Sequence, residues 1–246
     1  MPIGCTVSSL RLRAQRSHYS AVRNFFLSLL CILYSALSAV FLMIAFYANA
    51  HADTREGHSY FNMTENFSAD EKAFTKWTSM LVRYGEQSKI PDSECDRVPF
   101  HPCANLRDWH TIIDTLRGKS LADQMSGVND FANAYPYIED YVNWNVEDYW
   151  ETPYEFLTVS GDCEDYAITK YYSLRLMGIP DSRLRIIIVQ DMNLGGVIHA
   201  ILGVYEGKEL WILDNQIKQV IRAKRIYHYR PIYGINEQGW WVYHSR

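Results

Sequence analysis

Three residues that together can carry out nucleophilic chemistry stand in the order Cys163, His199 and Asp214. Cys163 lies in the run GDCEDYA at residues 161–167, at what the pattern predicts to be the first turn of a helix. Unpaired N–H groups at a helix start carry partial positive charge, which stabilises a thiolate. Cys163 is therefore a candidate nucleophile, although a cysteine is more commonly a small core residue.

The histidine and the aspartate lie on two β-rich runs, residues 197–205 and 209–214. A two-residue hairpin loop at 206–207 would place His199 directly opposite Asp214, with Cβ atoms roughly 5 Å apart. A three-residue loop would instead shift the pairing by one residue. A helix-start cysteine with a paired histidine and aspartate is the arrangement that a cysteine nucleophile needs, so we interpret the chain as an enzyme.

Each member of this predicted triad has a defined chemical role. His199 would act first as base or ion-pair partner of Cys163 and then as acid toward the leaving amine. Asp214 would hold the second ring nitrogen and fix the tautomer. The backbone N–H of Cys163 is one candidate donor to the oxyanion, and the indole of Trp144 or Trp150 is a candidate second donor, although either ring is also suited to packing.

The three acids around the thiol predict either a metal site or a solvated helix start. Like charge raises the pKa of a cysteine, and a hard cation would remove that cost. Asp162, Glu164 and Asp165 offer the oxygen ligands that Ca²⁺ takes. The alternative is that these acids are solvated and only interact favourably with the helix dipole, which requires no metal.

The spacing of apolar residues predicts several helices. The first covers residues 67–84, with Ser68 as N-cap and Glu71 completing a capping box. The others are predicted over 104–117, over 121–143 in two pieces broken at Gly127 and Pro136, and over 162–177, where Gly178 and Pro180 end the nucleophile helix.

Strands are predicted over residues 184–190, 197–205 and 210–213, and the region 217–243 predicts one or two more. The helices come first and the strands follow, with short turns that suit antiparallel pairing. This order indicates an α+β fold in which the nucleophile helix is central and packs on an antiparallel sheet.

The first 52 residues differ from the rest, because they contain four arginines and no acidic residue. Residues 25–47 form an uncharged apolar stretch of 23 residues, long enough to span a bilayer with the arginines on the cytoplasmic side. Ala50 and Ala52 would also suit signal-peptide cleavage. Residues 1–52 are thus predicted to be a signal peptide or an N-terminal membrane anchor. Either outcome places residues 53–246, as one domain, in the periplasm of a bacterium.

The charge of the predicted domain excludes one class of partner. Its 20 basic and 28 acidic residues give a net charge of −8 with histidine neutral. Proteins that bind nucleic acid generally present excess positive charge to the phosphates, so no nucleic-acid partner is expected.

The cysteines of the predicted domain divide into a pair and a single residue. Cys95 and Cys103 lie eight residues apart in an irregular segment. An oxidising compartment would allow them to form a disulfide, and two free thiols are the alternative. Cys163 is left over, as expected for a reactive thiol that stays free.

Several motifs together resemble one known family. They are DYWETPYEFL at 148–157, GDCEDYAITKYYSLRLMGIP at 161–180, His199 followed by an apolar strand, and Leu-Asp-Asn at 213–215. These resemble the bacterial transglutaminase-like cysteine proteinases, and among them the LapG-type periplasmic proteases.

The resemblance implies a papain/transglutaminase-like cysteine proteinase fold with a Cys163, His199 and Asp214 triad. It also implies calcium dependence, with Asp162, Glu164 and Asp165 as the matching ligands. The expected substrate is a large surface adhesin, cut near its N-terminus after a di-alanine to release cells from a biofilm. A LapD-like inner-membrane receptor for cyclic di-GMP is the expected inhibitor.

Two other functions are compatible with these residues. A transglutaminase-like site can pass its acyl group to an amine rather than to water, which would make the chain an acyl transferase. A membrane-anchored binding module with a vestigial site is the non-catalytic alternative, and the intact triad argues against it.

Overall fold

A computed structural model describes residues 61, 63–91, 94–95 and 103–245. The leader predicted over residues 1–52, including the apolar stretch 25–47, lies outside these described residues. Within the described part of the chain, no helix combines the length and apolar character that crossing a membrane requires.

The described chain forms six α-helices and seven strands. The helices are α1 (Thr75–Gln87), α2 (Cys103–Leu116), α3 (Leu121–Asn133), α4 (Asp140–Trp144), α5 (Pro153–Val159) and α6 (Cys163–Leu176). The strands are β1 (Met63–Ser68), β2 (Leu184–Asp191), β3 (Val197–Glu206), β4 (Glu209–Leu213), β5 (Ile221–Arg222), β6 (Tyr229–Asn236) and β7 (Gly239–Ser245).

The seven strands form one antiparallel sheet in the order β1-β7-β6-β2-β3-β4-β5. Helix α6 packs on β2 and β3 near the middle of this sheet. It begins at Cys163 and is followed by Gly178, whose φ of +94° suits glycine after a helix end. The predicted α+β fold with a central nucleophile helix is confirmed.

Apolar side chains fill both faces of the sheet. The larger cluster lies on the helix side and joins α1, α2, α3, α5 and α6 to inward-facing residues such as Ile186 and Leu202. The smaller cluster lies on the opposite face around Ile187, Val189 and Ile201. This alternation follows from the two-residue period of a strand. Helix α6 is therefore held against a layer that is packed on both sides.

The helix predicted over residues 67–84 is wrong at its start. Residues Met63–Ser68 form the edge strand β1, paired with β7, and the helix begins only at Thr75. The Phe67 ring packs 4.9 Å from that of Trp241 on β7. These contacts with the far end of the chain outweigh the local capping signal at Ser68, whose hydroxyl instead accepts a hydrogen bond from the Asp70 backbone at 3.2 Å.

Gly127 does not break a helix, contrary to the sequence prediction. Helix α3 continues through it from Leu121 to Asn133. A Cβ atom at this position would lie 2.6 Å from Leu116 Cδ1 at the end of α2. Glycine therefore allows two helices to approach closely. The break at Pro136 is confirmed.

The β3–β4 hairpin differs from its predicted register by two residues. Glu206 pairs with Glu209, so the loop is Gly207–Lys208, with Gly207 at a φ of +55°. A two-residue hairpin turn needs positive φ at its first position, which glycine adopts without strain. The register would place residue 216, not Asp214, opposite His199. A shift of two preserves the face of the sheet, so Asp214 stays on the same side, just beyond the end of β4.

Cys95 and Cys103 form a disulfide, with Cα atoms 5.4 Å apart. The sequence left open whether these cysteines form a disulfide or remain free thiols, and the structure has the disulfide. The bond joins a short helical turn at 94–95 to the first residue of α2. Cys163 is the free cysteine among the described residues.

Candidate active site

Cys163 is the first residue of α6, with Asp162 as its N-cap. Its thiol donates to Glu164 Oε2 at 3.2 Å. The sulfur also interacts with the backbone of Ala200, the neighbour of His199 on β3. The structure thus brings the predicted nucleophile against the strand that carries the predicted base.

His199 and Asp214 form a buried pair, with 2% and 1% of their surfaces exposed. His199 Nε2 lies 2.8 Å from Asp214 Oδ1. Burial alone would raise the pKa of Asp214, but its hydrogen bonds, led by the one from His199, bring that pKa below the usual value. The pairing predicted from the sequence is therefore present, across a diagonal of the hairpin.

Three other groups fix Asp214. The backbone N–H of Gln216 donates to Oδ1 at 2.8 Å and the Tyr229 hydroxyl donates to Oδ2 at 2.6 Å. The side-chain amide of Asn133, at the end of α3, donates to the Asp214 carbonyl oxygen at 2.8 Å. The contacts of Tyr229 and Asn133 were not predicted from the sequence, because these residues lie far from Asp214 in the chain.

The orientation of His199 determines the role of each ring nitrogen. With Nε2 on Asp214, Nδ1 faces the other way, and the Gln216 side-chain amide lies 3.3 Å from it. A neutral ring that donates its Nε2 proton to Asp214 accepts at Nδ1. Nδ1 is therefore the nitrogen left to take a proton from a thiol.

The start of α6 also lies in a group of six acids that we call the acidic cluster: Asp140, Asp148, Glu151, Asp162, Glu164 and Asp165. Within it, ligand atoms of Asp140, Asp148 and Glu164 lie within 4.8 Å of one another, as do those of Asp140, Glu151 and Asp165. Asp162, Cys163 and Glu164 form a third such group. All three acids predicted from the sequence belong to the cluster.

The sequence analysis missed Asp140, Asp148 and Glu151 as members of this cluster. They come from the segment between the start of α4 and the start of α5. The acidic and aromatic composition of residues 144–156 was the available signal. Only the folded chain shows that this segment lies against the start of α6.

Asp165 has a structural role within the cluster. Its Oδ1 accepts from the Glu151 backbone at 2.7 Å, and its Oδ2 accepts from the Asp162 backbone at 3.0 Å. A Cβ atom on Gly161 would collide with this carboxylate. Asp165 therefore ties the 151 segment to the first turn of the nucleophile helix.

Burial and mutual repulsion keep several groups of the cluster protonated. Burial raises the pKa of Glu151 to about 8. Burial, followed by the charge of Glu164, raises the pKa of Asp162 to about 8. The same burial, with the charges of Glu164 and Asp162, raises the pKa of the Cys163 thiol well above its ordinary value. An isolated thiol in this state is a poor nucleophile at neutral pH.

The cluster has the donors that a divalent cation requires. Three buried carboxylate oxygens have no hydrogen-bond partner among the described residues: Asp140 Oδ1, Glu151 Oε2 and Asp162 Oδ1. Such oxygens are costly unless they are paired, and hard oxygen ligands suit Ca²⁺. Of the three acids predicted at the helix start, Asp165 is fully buried, so the alternative of solvated acids does not fit that residue.

Both tryptophans considered as oxyanion donors have contacts of their own. Trp144 Nε1 donates to Glu151 Oε1 at 2.6 Å, inside the acidic cluster. The Trp150 ring packs edge-on against Trp77 and is 7% exposed. Trp150, Trp77 and Asp148 line a cavity of about 290 Å³ beside the cluster.

Lys170 is a buried amine on the sheet-facing side of α6, with 1% of its surface exposed. Its Nζ has no hydrogen-bond partner among the described residues and lies 5.7 Å from the Tyr166 ring centre. Burial lowers its pKa to about 7, and the charge of Asp214 acts in the opposite direction. Helix α6 thus contains a buried ionisable group, Lys170, that was not predicted from the sequence.

Comparisons with known proteins identify the family of the chain. Residues 95–245 match the family model described as bacterial transglutaminase-like cysteine proteinase BTLCP. No curated protein matches the chain. Among solved structures, LapG of Legionella pneumophila is 30% identical, with a TM-score of 0.55 over 61% of this chain and 84% of that one.

Two further structures of the Legionella protein are relevant to the acidic cluster. Calcium-bound LapG matches at 30% identity and a TM-score of 0.55, over 62% of this chain and 88% of that chain. EGTA-treated LapG matches equally well, over 61% and 82%. With a free cysteine heading the central helix and a family match that spans every element from α2 to β7, the chain belongs to the bacterial transglutaminase-like cysteine proteinases.

Proposed function

We propose that the chain is a calcium-dependent cysteine endopeptidase whose catalytic residues are Cys163, His199 and Asp214. The observation that carries this proposal is the buried His199–Asp214 pair, joined at 2.8 Å, in which His199 neighbours Ala200, whose backbone the Cys163 sulfur contacts. The family match and the likeness to LapG support the same reaction class.

The proposed reaction follows from the orientation of the imidazole. His199 Nδ1 takes the proton of the Cys163 thiol, and the sulfur forms a bond to the scissile carbonyl carbon. The Cys163 backbone N–H, which as a first-turn group has no intrahelical acceptor, stabilises the oxyanion. His199 then returns the proton to the leaving amine as the C–N bond breaks. Water attacks the acyl-enzyme with His199 as base, which releases the acid and restores the thiol.

Calcium would be held by carboxylates of the acidic cluster, with Asp162, Glu164 and Asp140 as the principal candidates. The bound cation would neutralise the acids and lower the pKa of the neighbouring thiol. Asp165 supports this site by fixing the backbone of Asp162 and Glu151. The likeness to a LapG that has been solved both calcium-bound and EGTA-treated favours calcium over other divalent ions.

We infer the substrate and setting from the family resemblance. The substrate is the N-terminal region of a large surface adhesin, cut at a di-alanine, and cleavage releases cells from a biofilm. A LapD-like inner-membrane receptor that responds to cyclic di-GMP would inhibit the enzyme. The proposed location is the periplasm, with a tether through residues 25–47 if the leader is not removed. The Cys95–Cys103 disulfide supports an oxidising compartment.

The test is incubation of the purified chain with an adhesin fragment from the same genome that contains the di-alanine. We expect cleavage after the second alanine by mass spectrometry, and none with Cys163→Ala. A labelled amine in the same assay distinguishes the acyl transferase, since amine incorporation without cleavage would contradict the protease proposal. Biofilm release by Cys163→Ala cells would instead favour the non-catalytic binding module.

A further inference from the structure

Tyr229 contacts both members of the His199–Asp214 pair. It is the first residue of β6 and is 4% exposed. Its hydroxyl donates to Asp214 Oδ2 at 2.6 Å, and its ring centre lies 5.7 Å from that of His199, tilted by 54°. A single side chain therefore holds the carboxylate and covers the imidazole.

The two oxygens of Asp214 have separate donors. Oδ1 accepts from His199 Nε2 and from the Gln216 backbone, whereas Oδ2 accepts from Tyr229. The terminal torsion of an aspartate is broad and does not by itself select one orientation. The Tyr229 hydroxyl provides that selection, because rotating the carboxylate would break bonds at both oxygens.

We propose that Tyr229 is a positioning residue for proteolysis, which fixes Asp214 so that His199 keeps its proton on Nε2 and presents Nδ1 to Cys163. This inference rests on the proposed function for its link to proteolysis. Tyr229 touches neither the scissile bond nor the sulfur in this account and acts only through Asp214. Burial and the adjacent Asp214 charge raise the pKa of the Tyr229 hydroxyl, which therefore stays a donor throughout the working pH range.

The experiment uses the full chain and the variant Tyr229→Phe, which removes the hydroxyl and keeps the ring. Tyr172→Phe is the matched control, since its hydroxyl donates to the Glu237 carboxylate at 2.9 Å, away from the triad. We expect Tyr229→Phe to lower kcat at least tenfold with KM within twofold, and Tyr172→Phe to change kcat less than twofold. An equal loss in the two variants would contradict a positioning role.

A second readout observes the imidazole directly and needs no substrate. In ¹⁵N NMR of the histidine rings, His199 should carry its proton on Nε2 in the unsubstituted protein. It should show mixed tautomers in Tyr229→Phe and no change in Tyr172→Phe. A proton on Nδ1 in the unsubstituted protein, or an unchanged His199 signal in Tyr229→Phe, would overturn the inference. The NMR measurement still tests the positioning of His199 even if the adhesin fragment is not cleaved.

A double variant tests whether Tyr229 acts through Asp214. If it does, adding Tyr229→Phe to Asp214→Ala should change kcat by less than twofold, because the carboxylate it positions is already gone. A further tenfold loss in that background would show that Tyr229 acts on the reaction by another route, and the inference would be wrong.

Discussion

The carboxylate of Asp214 and the carboxylates of the acidic cluster are satisfied in opposite ways. Asp214 accepts from His199, Gln216 and Tyr229, and its pKa is below the usual value. Asp162 and Glu151 each leave one buried oxygen without a partner among the described residues, and their pKa values rise to about 8. The Asp214 carboxylate is therefore fully hydrogen-bonded by protein donors, whereas the acidic cluster retains buried oxygens that suit an added cation.

Removing the reacting side chains should have the largest effect on activity and should leave calcium binding by the acidic cluster intact. Cys163→Ala and His199→Ala should each lower kcat/KM by at least about 10³-fold, and the double variant should be little worse, because triad members act as a unit. Both should keep the calcium-dependent rise in melting temperature, since they leave the acids in place. Turnover of the adhesin fragment and thermal melts with calcium or EGTA check this. Appreciable activity in either variant would mean that the nucleophile or base has been misassigned.

A smaller loss is expected from Asp214→Ala, because Asp214 orients the base and does not react. We expect kcat to fall by about 10²-fold, in the range typical of a positioned acid–base partner. The melting-temperature response to calcium should be retained, as in the His199 variant. Loss of that response would show that Asp214 also supports the acidic cluster, and the proposed division into two groups would fail.

Calcium should affect stability through the acidic cluster. At a free concentration near 100 times its dissociation constant, an ion that binds only the native state stabilises it by about 2.7 kcal/mol. EGTA should lower both activity and melting temperature, and Ca²⁺ should restore them better than Mg²⁺, which requires a strict octahedron. Asp162→Asn should remove most of the response. Asp114→Asn, which changes an exposed acid paired with Arg117, is the control and should keep it.

A further expected effect is a pH dependence of stability in EGTA. Glu151 and Asp162 keep protons in the folded state up to about pH 8, whereas in the unfolded chain they release them near their ordinary pKa values of 4.5 and 3.8. The free energy of unfolding therefore falls as pH rises between about 4 and 8. The lowered pKa of Asp214 acts with the opposite sign, in a more acidic range.

Thermal melts at several values between pH 5 and pH 9 measure this slope. Saturating calcium should flatten it, because bound ligands are ionised in the folded state as well. The melting-temperature gain from calcium should consequently be larger at pH 8.5 than at pH 5.5. An equal gain at both values would mean that calcium does not bind at Glu151 and Asp162, the acids that keep their protons when no ion is bound.

The features that the sequence predicted well are those set by local pattern. Helix α6 has an acidic first turn and a glycine after its end, so its bounds followed from nearby residues. The hairpin was placed two residues out of register, but the period of a strand kept His199 and Asp214 on one face. The pair was thus predictable even though its exact geometry was not.

The features that the sequence did not predict depend on distant contacts. Strand β1 forms because it pairs with β7, and the ion pair between Glu65 and the buried Arg185 further holds it there. Asp140 and Glu151 join the cluster because the chain before α5 folds back onto the start of α6. Tyr229 reaches Asp214 from a strand that was predicted only as part of a broad region. Nearby residues do not predict which distant parts of the chain these segments contact.

The 3.2 Å contact between the Cys163 thiol and Glu164 has a consequence for when the enzyme becomes active. Under the proposed function, a freshly folded chain in a calcium-poor cytosol holds its sulfur as a protonated, acid-capped thiol. Such a chain would be latent and would spare the proteins around it during synthesis. Reactivity would begin where calcium is abundant, so the thiol would become nucleophilic only in a calcium-rich compartment. Latency would then be encoded by the residue next to the cysteine rather than by a separate inhibitory segment.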